Sequence, residues 1–164
     1  MKTRQKLFRV GIGGVACVAF GIVAYTLLTR GPAYDLGLSR FDLAISGVTD
    51  VETLRAKAKA VADAYLAQHK AELTEVCGGT YELKSDTSLT HNIHSLGYRS
   101  CFYYHCWNIY LPYSMQPNSR SAYTYTVAVQ LSDATKGNKH DPDKFRVLRA
   151  IVIDQEHLVA RTLE

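Results

Sequence analysis

Residues 10–28 make up 19 consecutive positions without a charge, and no other stretch restricts the chain's fate so tightly. As a helix rising 1.5 Å per residue, the run would be roughly 28 Å long, close to the ~30 Å hydrocarbon core of a bilayer. A cleavable signal peptide usually has an apolar region of about 7–15 residues. This run is longer, and no Ala-x-Ala site follows it. A lipoprotein signal fits no better. Gly14 stands three positions before Cys17, where a large aliphatic residue is usual, and the apolar run continues well past the cysteine. The expectation is an uncleaved transmembrane helix over 10–28, preceded by a basic segment at 1–9. Lys2, Arg4, Lys6 and Arg9 precede the span and only Arg30 follows it closely. The positive-inside rule then puts the amino terminus in the cytoplasm or matrix. The remainder would lie in the periplasm or intermembrane space, beyond a bacterial or organelle inner membrane. Gly13, Cys17 and Gly21 recur every four residues and share one helix face, where small side chains let a partner helix approach closely.

Charge removes one class of partner. The chain has 19 basic residues, of which five lie in residues 1–30 with no acidic residue among them. That leaves fourteen against fifteen acidic ones, a net of −1 for the rest. Such a balance offers no counterion-release drive toward nucleic acid. With 47% hydrophobic residues and 4 prolines in 164 positions, the chain is not collagenous, disordered or a disulfide-dense miniprotein.

After the expected span, residues 29–48 are punctuated by Gly31, Pro32, Gly37 and Gly47. They read as a tether, with a short strand at 41–45 where apolar residues alternate. Residues 49–164 read as one extracytoplasmic α+β domain. Thr49 with Glu52 forms a capping-box pattern, and residues 50–76 contain neither Gly nor Pro. Val51, Leu54, Ala58, Val61, Ala62, Tyr65, His69, Leu73 and Val76 keep helical spacing, so one long amphipathic helix is expected, stopped by Gly78 and Gly79. Strands follow at 81–84, 97–111, 121–131, 145–153 and 157–162, separated by turn-rich segments. The expected fold is a long amphipathic helix packed on an antiparallel meander of four or five strands. That layout resembles cystatin-like and nuclear-transport-factor-2-like domains, a likeness of architecture that carries no function.

Candidate chemistry is sparse. Cys77 at the helix end could pair with Cys106 or Cys101. Those two, five apart on one expected strand, would point to opposite faces and could not pair with each other. His91, His94, Cys101, His105 and Cys106 form a run of metal-type ligands, but their spacing matches no structural zinc pattern. Tyr103, Trp107, Tyr110, Tyr113, Tyr123 and Tyr125 belong to an aromatic-rich stretch suited to a protein interface. No nucleophile elbow, metalloprotease helix or cofactor motif is present. The expected function is therefore a non-catalytic, single-pass accessory subunit or assembly factor of a membrane complex, with no cofactor. Two alternatives stand beside it. One is a membrane-tethered protein that binds a ligand, sugar or toxin on a tyrosine-rich sheet face. The other is a metal-handling or redox protein built on the His/Cys run.

Overall fold

The computed structural model describes residues 31–118, 125–134, 140–156 and 159–163, and Ala24 besides. The expected membrane span at 10–28, with its Gly13, Cys17 and Gly21 face, lies outside the described residues apart from Ala24, as does Tyr123. Among the described residues no helix is long and apolar enough to cross a membrane. They form an α+β unit of four helices and a six-stranded antiparallel sheet. The helices are α1 (Arg40–Ser46), α2 (Val51–Gln68), α3 (Lys70–Cys77) and α4 (Thr90–Ser95). The strands are β1 (Tyr81–Ser85), β2 (Cys101–Tyr103), β3 (Cys106–Pro117), β4 (Tyr125–Ser132), β5 (Arg146–Asp154) and β6 (Ala160–Leu163).

Local chemistry explains each departure from expectation. Residues 41–45 are helix, not strand, because Ser39 and Asp42 close a capping box. The Ser39 hydroxyl accepts from the Asp42 N–H at 3.1 Å, and the Asp42 carboxylate accepts from the Ser39 N–H at 2.9 Å. The long helix starts one residue later than the Thr49 pattern implies, since Asp50 accepts the Thr53 N–H at 3.0 Å. It is also two helices. His69 breaks it with φ −95 and ψ 21, its ring stacked on Tyr65 at 4.0 Å and its Nδ1 2.9 Å from the Tyr65 carbonyl. The stop at Gly78 is as expected: φ is 65, and the Gly79 N–H donates to the Thr74 carbonyl.

In the sheet, β3, β4, β5 and β6 form a meander, and β1 and β2 both pair with β3 along its other edge. Register assigns Ser85 to Tyr113 and Cys101 to Asn108, so residues 109–112 have no strand partner on that side. This gap admits Pro112 into a twelve-residue strand. Its carbonyl accepts the Asp86 N–H on the β1 side, so the missing N–H faces the gap and costs the ladder to β4 nothing.

The segment read as one strand over 97–111 is a hairpin. Tyr103 pairs with Cys106 across Tyr104 and His105, whose φ values are 45 and 62. Both faces of the sheet are covered. Leu54, Ala58, Ala62 and Leu66 of α2 pack on one face against Trp107, Ile109, Leu111, Tyr113, Val127 and Val129. Ile93 of α4, from the segment between the strands expected at 81–84 and 97–111, packs on the other against Tyr110, Ala128, Ile151 and Ile153.

Candidate functional site

Apolar side chains that could have been buried are instead turned outward at one end of the molecule. In α1, Leu43 enters the core, while Phe41 and Ile45 are 67% and 50% exposed and Ala44 lies between them on the outer side. Next to α1 stands the β2/β3 hairpin, joined to it where the Phe102 N–H donates to the Asp42 carboxylate at 3.1 Å. At its tip, Tyr103 and Tyr104 are 59% and 79% exposed, with ring centroids 3.9 Å apart.

That tip holds its shape against local preference. A two-residue hairpin turn with positive φ at both positions favours Asn-Gly, and a side chain with a Cβ there costs about 1–2 kcal/mol per residue. Tyr and His occupy the two positions, so the surrounding structure imposes the turn. The buried network beneath it supplies the constraint. Asp133, wholly buried, accepts the Trp107 backbone N–H at 2.5 Å, the Asp141 N–H at 2.9 Å and a His140 Nδ1 hydrogen at 2.6 Å. The Trp107 indole N–H can only donate, so His140 Nε2 accepts it at 2.8 Å and Nδ1 carries the hydrogen toward Asp133. The Ser132 hydroxyl donates to the Trp107 carbonyl at 2.9 Å, and Phe102 stacks edge-on against Trp107 at 4.8 Å. Every polar atom of the buried indole and its peptide unit is held, which fixes both strands just below the tip.

The expected site residues divide sharply. Of the aromatic set, Tyr103 is exposed and Tyr125 half-buried, but Trp107, Tyr110 and Tyr113 are core. The tyrosine-rich sheet face expected from composition is therefore corrected, because α2 covers one side of β3 and α4 the other. The three described cysteines are free thiols, each half-buried and each with its acidity weakened chiefly by burial. Cys77 precedes Tyr81, which pairs with Pro117, whereas Cys106 opens the same strand. At about 3.3 Å per residue the length of β3 separates those ends by roughly 35 Å, so the structure does not bring Cys77 to Cys106 or Cys101. Cys101 and Cys106 are diagonal neighbours on one face of the hairpin, not opposed on one strand. The Cys106 thiol donates to the Tyr103 carbonyl at 2.8 Å. His91 and His94 lie on α4, whereas Cys101, His105 and Cys106 belong to the hairpin. Among the described residues no three His, Cys, Asp or Glu side chains are grouped to hold a metal ion.

One open cleft of about 400 Å³ runs between α2 and β1, lined by Lys59, Asp63, Lys70, Tyr81, Leu83 and Tyr113 among others. Inside it the Tyr113 hydroxyl donates to Asp63 at 2.8 Å, and Asp63 also pairs with Lys59. Burial first, and then the Asp63 bond, push the Tyr113 phenol well above its ordinary range, so it stays protonated and donating. Comparison with known protein families, curated proteins and solved structures finds no match to this chain.

Proposed function

We propose that the chain is a non-catalytic, single-pass accessory subunit or assembly factor of a membrane complex. Residues 10–28 would anchor it, with the Gly13, Cys17 and Gly21 face against another helix, in a bacterial or organelle inner membrane. Its α+β head, a long helix across a meander as in cystatin-like and nuclear-transport-factor-2-like layouts, would work in the periplasm or intermembrane space. The observation that carries the reading is the hairpin tip. A turn held in a costly conformation by a buried network, and ending in two exposed tyrosines, has the form of a preorganised docking knob. Tyrosine supplies large contact area with little side-chain entropy to lose, which is why interfaces favour it.

Crosslinking of the full chain in its own cells, followed by affinity purification, tests this. Wild type should recover a discrete protein partner. Tyr103→Ser with Tyr104→Ser should lose that partner while keeping the thermal midpoint. Recovery of a lone, stable monomer in detergent with no discrete crosslink would contradict the proposal. A tethered ligand-binding head is the second reading, and the cleft beside α2 is the observation that favours it. Lys70 brings a cationic group there beside the apolar walls of Leu66 and Leu83, a combination suited to an anionic amphiphile.

A further inference from the structure

We propose that the outer face of α1 lies on the lipid surface itself, with Phe41 and Ile45 in the boundary between headgroups and acyl chains. The inference rests on the reading of residues 10–28 as a membrane span and extends it to the part of the head nearest that span.

The chain's own geometry leads there. The segment entering the head is pinned: the Arg55 guanidinium pairs with Asp35 and donates to the Pro32 carbonyl at 2.8 Å. Gly31 sits directly against α1, since a Cβ added there would stand 3.1 Å from the Arg40 backbone nitrogen. Only Thr29 and Arg30 separate Gly31 from Leu28, the last residue of the apolar run. Three extended residues reach about 10 Å, so α1 begins within roughly 15 Å of that run's end. A headgroup layer on one side of a bilayer is about 5–8 Å deep. A helix tethered so closely has the bilayer surface as its nearest neighbour.

Side-chain chemistry agrees with that placement. α1 inverts the usual pattern, with Phe41, Ala44 and Ile45 outward and Arg40 exposed at its first position. A helix lying in an interface presents an apolar stripe to the acyl boundary and keeps basic groups at the phosphates. Tyr103 and Tyr104 belong to the residue type enriched at that depth. Because Asp42 ties α1 to Phe102, seating α1 would also hold the hairpin tip near the membrane. There, the proteins within reach are other integral-membrane subunits.

The test uses the full chain reconstituted into phosphatidylcholine–phosphatidylglycerol vesicles, with and without brominated acyl chains. Trp107, the single tryptophan, is fully buried and gives a constant background. Phe41→Trp and, independently, Ile45→Trp each add an indole on the outer face of α1. Leu148→Trp adds one at an exposed position of β5, two strands from β3 and outside both α1 and the hairpin. The expected result is loss of most of the added emission for Phe41→Trp and Ile45→Trp in brominated vesicles, with none for Leu148→Trp. If the chain floats with vesicles after a high-salt wash but neither α1 indole is quenched, the anchor stands and the seating is wrong. Protein crosslinks at position 41 in place of quenching would overturn it in the same way. If the chain fails to float, the anchor reading has failed and the seating falls with it.

Discussion

Helices α1 and α2 follow one another along the chain, both are capped by a side chain at their first turn, and they spend their apolar residues in opposite ways. In α2, Leu54, Ala58, Ala62 and Leu66 all point inward and are buried to within a few per cent. In α1, Leu43 alone reaches the core, while Phe41 and Ile45 face out. Removing apolar area from water stabilises a fold by about 25 cal/mol per Å², so the outward residues of α1, at least half exposed, contribute less to it than the fully covered residues of α2. The same division separates the aromatics of the β2/β3 hairpin: Trp107 and Tyr113 are buried beneath α2, while Tyr103 and Tyr104 stand clear at the hairpin tip. Buried and exposed residues form separate sets, and the exposed groups of α1 and the hairpin tip adjoin one another through the Asp42 bond to Phe102; association is the role proposed for them.

The largest expected effects lie on the folding side. Leu54→Ala or Leu66→Ala should cost about 3 kcal/mol in denaturant unfolding, as a cavity opens between helix and sheet. Phe41→Ala and Ile45→Ala should stay within about 0.5 kcal/mol of wild type. Equal costs in the two helices would break the distinction. Asp133→Ala should cost about 2–3 kcal/mol, because it strips the acceptor from the buried Trp107 N–H, the part-buried Asp141 N–H and His140. A red-shifted Trp107 emission would report the loosened strand ends.

A sharper test runs in the opposite direction. Replacing Tyr104→Asn together with His105→Gly relieves two unfavourable φ values and should raise stability by about 1–3 kcal/mol, while abolishing partner recovery. A stabilised variant that still docks would show that the tip is not the knob. Tyr113→Phe should cost about 1 kcal/mol, the net value of its bond to Asp63.

The smallest effect is one of pH. Burial, with Arg99 and His91 nearby, holds the His94 ring's affinity for a proton below its ordinary value, and its buried Nε2 has no hydrogen-bond partner among the described residues. The folded state therefore prefers neutral His94. As pH falls through the unfolded value near 6.5 the unfolded chain gains its proton first, so stability declines until the native ring also titrates. Thermal midpoints taken from about pH 7 down to 5 should fall, and His94→Leu should flatten that part of the curve.

Much of the framework was legible in advance, for reasons visible in particular residues. Helical spacing from Leu54 to Leu66 is long enough to be unambiguous, and Gly78 can take a left-handed stop at no steric cost. Alternation of Phe41, Leu43 and Ile45 predicts a strand at 41–45, but a seven-residue helix can carry the same pattern. Ser39 with Asp42 three residues on was the signal that would have found it. The hairpin was hidden because its turn lacks Gly and Asn, and its conformation is imposed by Asp133, His140 and Trp107, which are far apart in sequence. Composition could count the tyrosines but not sort them. Which are core depends on α4, whose single apolar anchor Ile93 lies among polar residues.

The proposed division between a folding interior and an associating end is tested most directly by a photo-crosslinking phenylalanine derivative placed at position 104 or at position 148 of the full chain. Both sites are exposed, and only the first belongs to the hairpin tip. A discrete protein adduct formed in the membrane fraction from position 104 and absent from position 148 is the predicted result. The same adduct from both positions, or from 148 alone, would contradict the account.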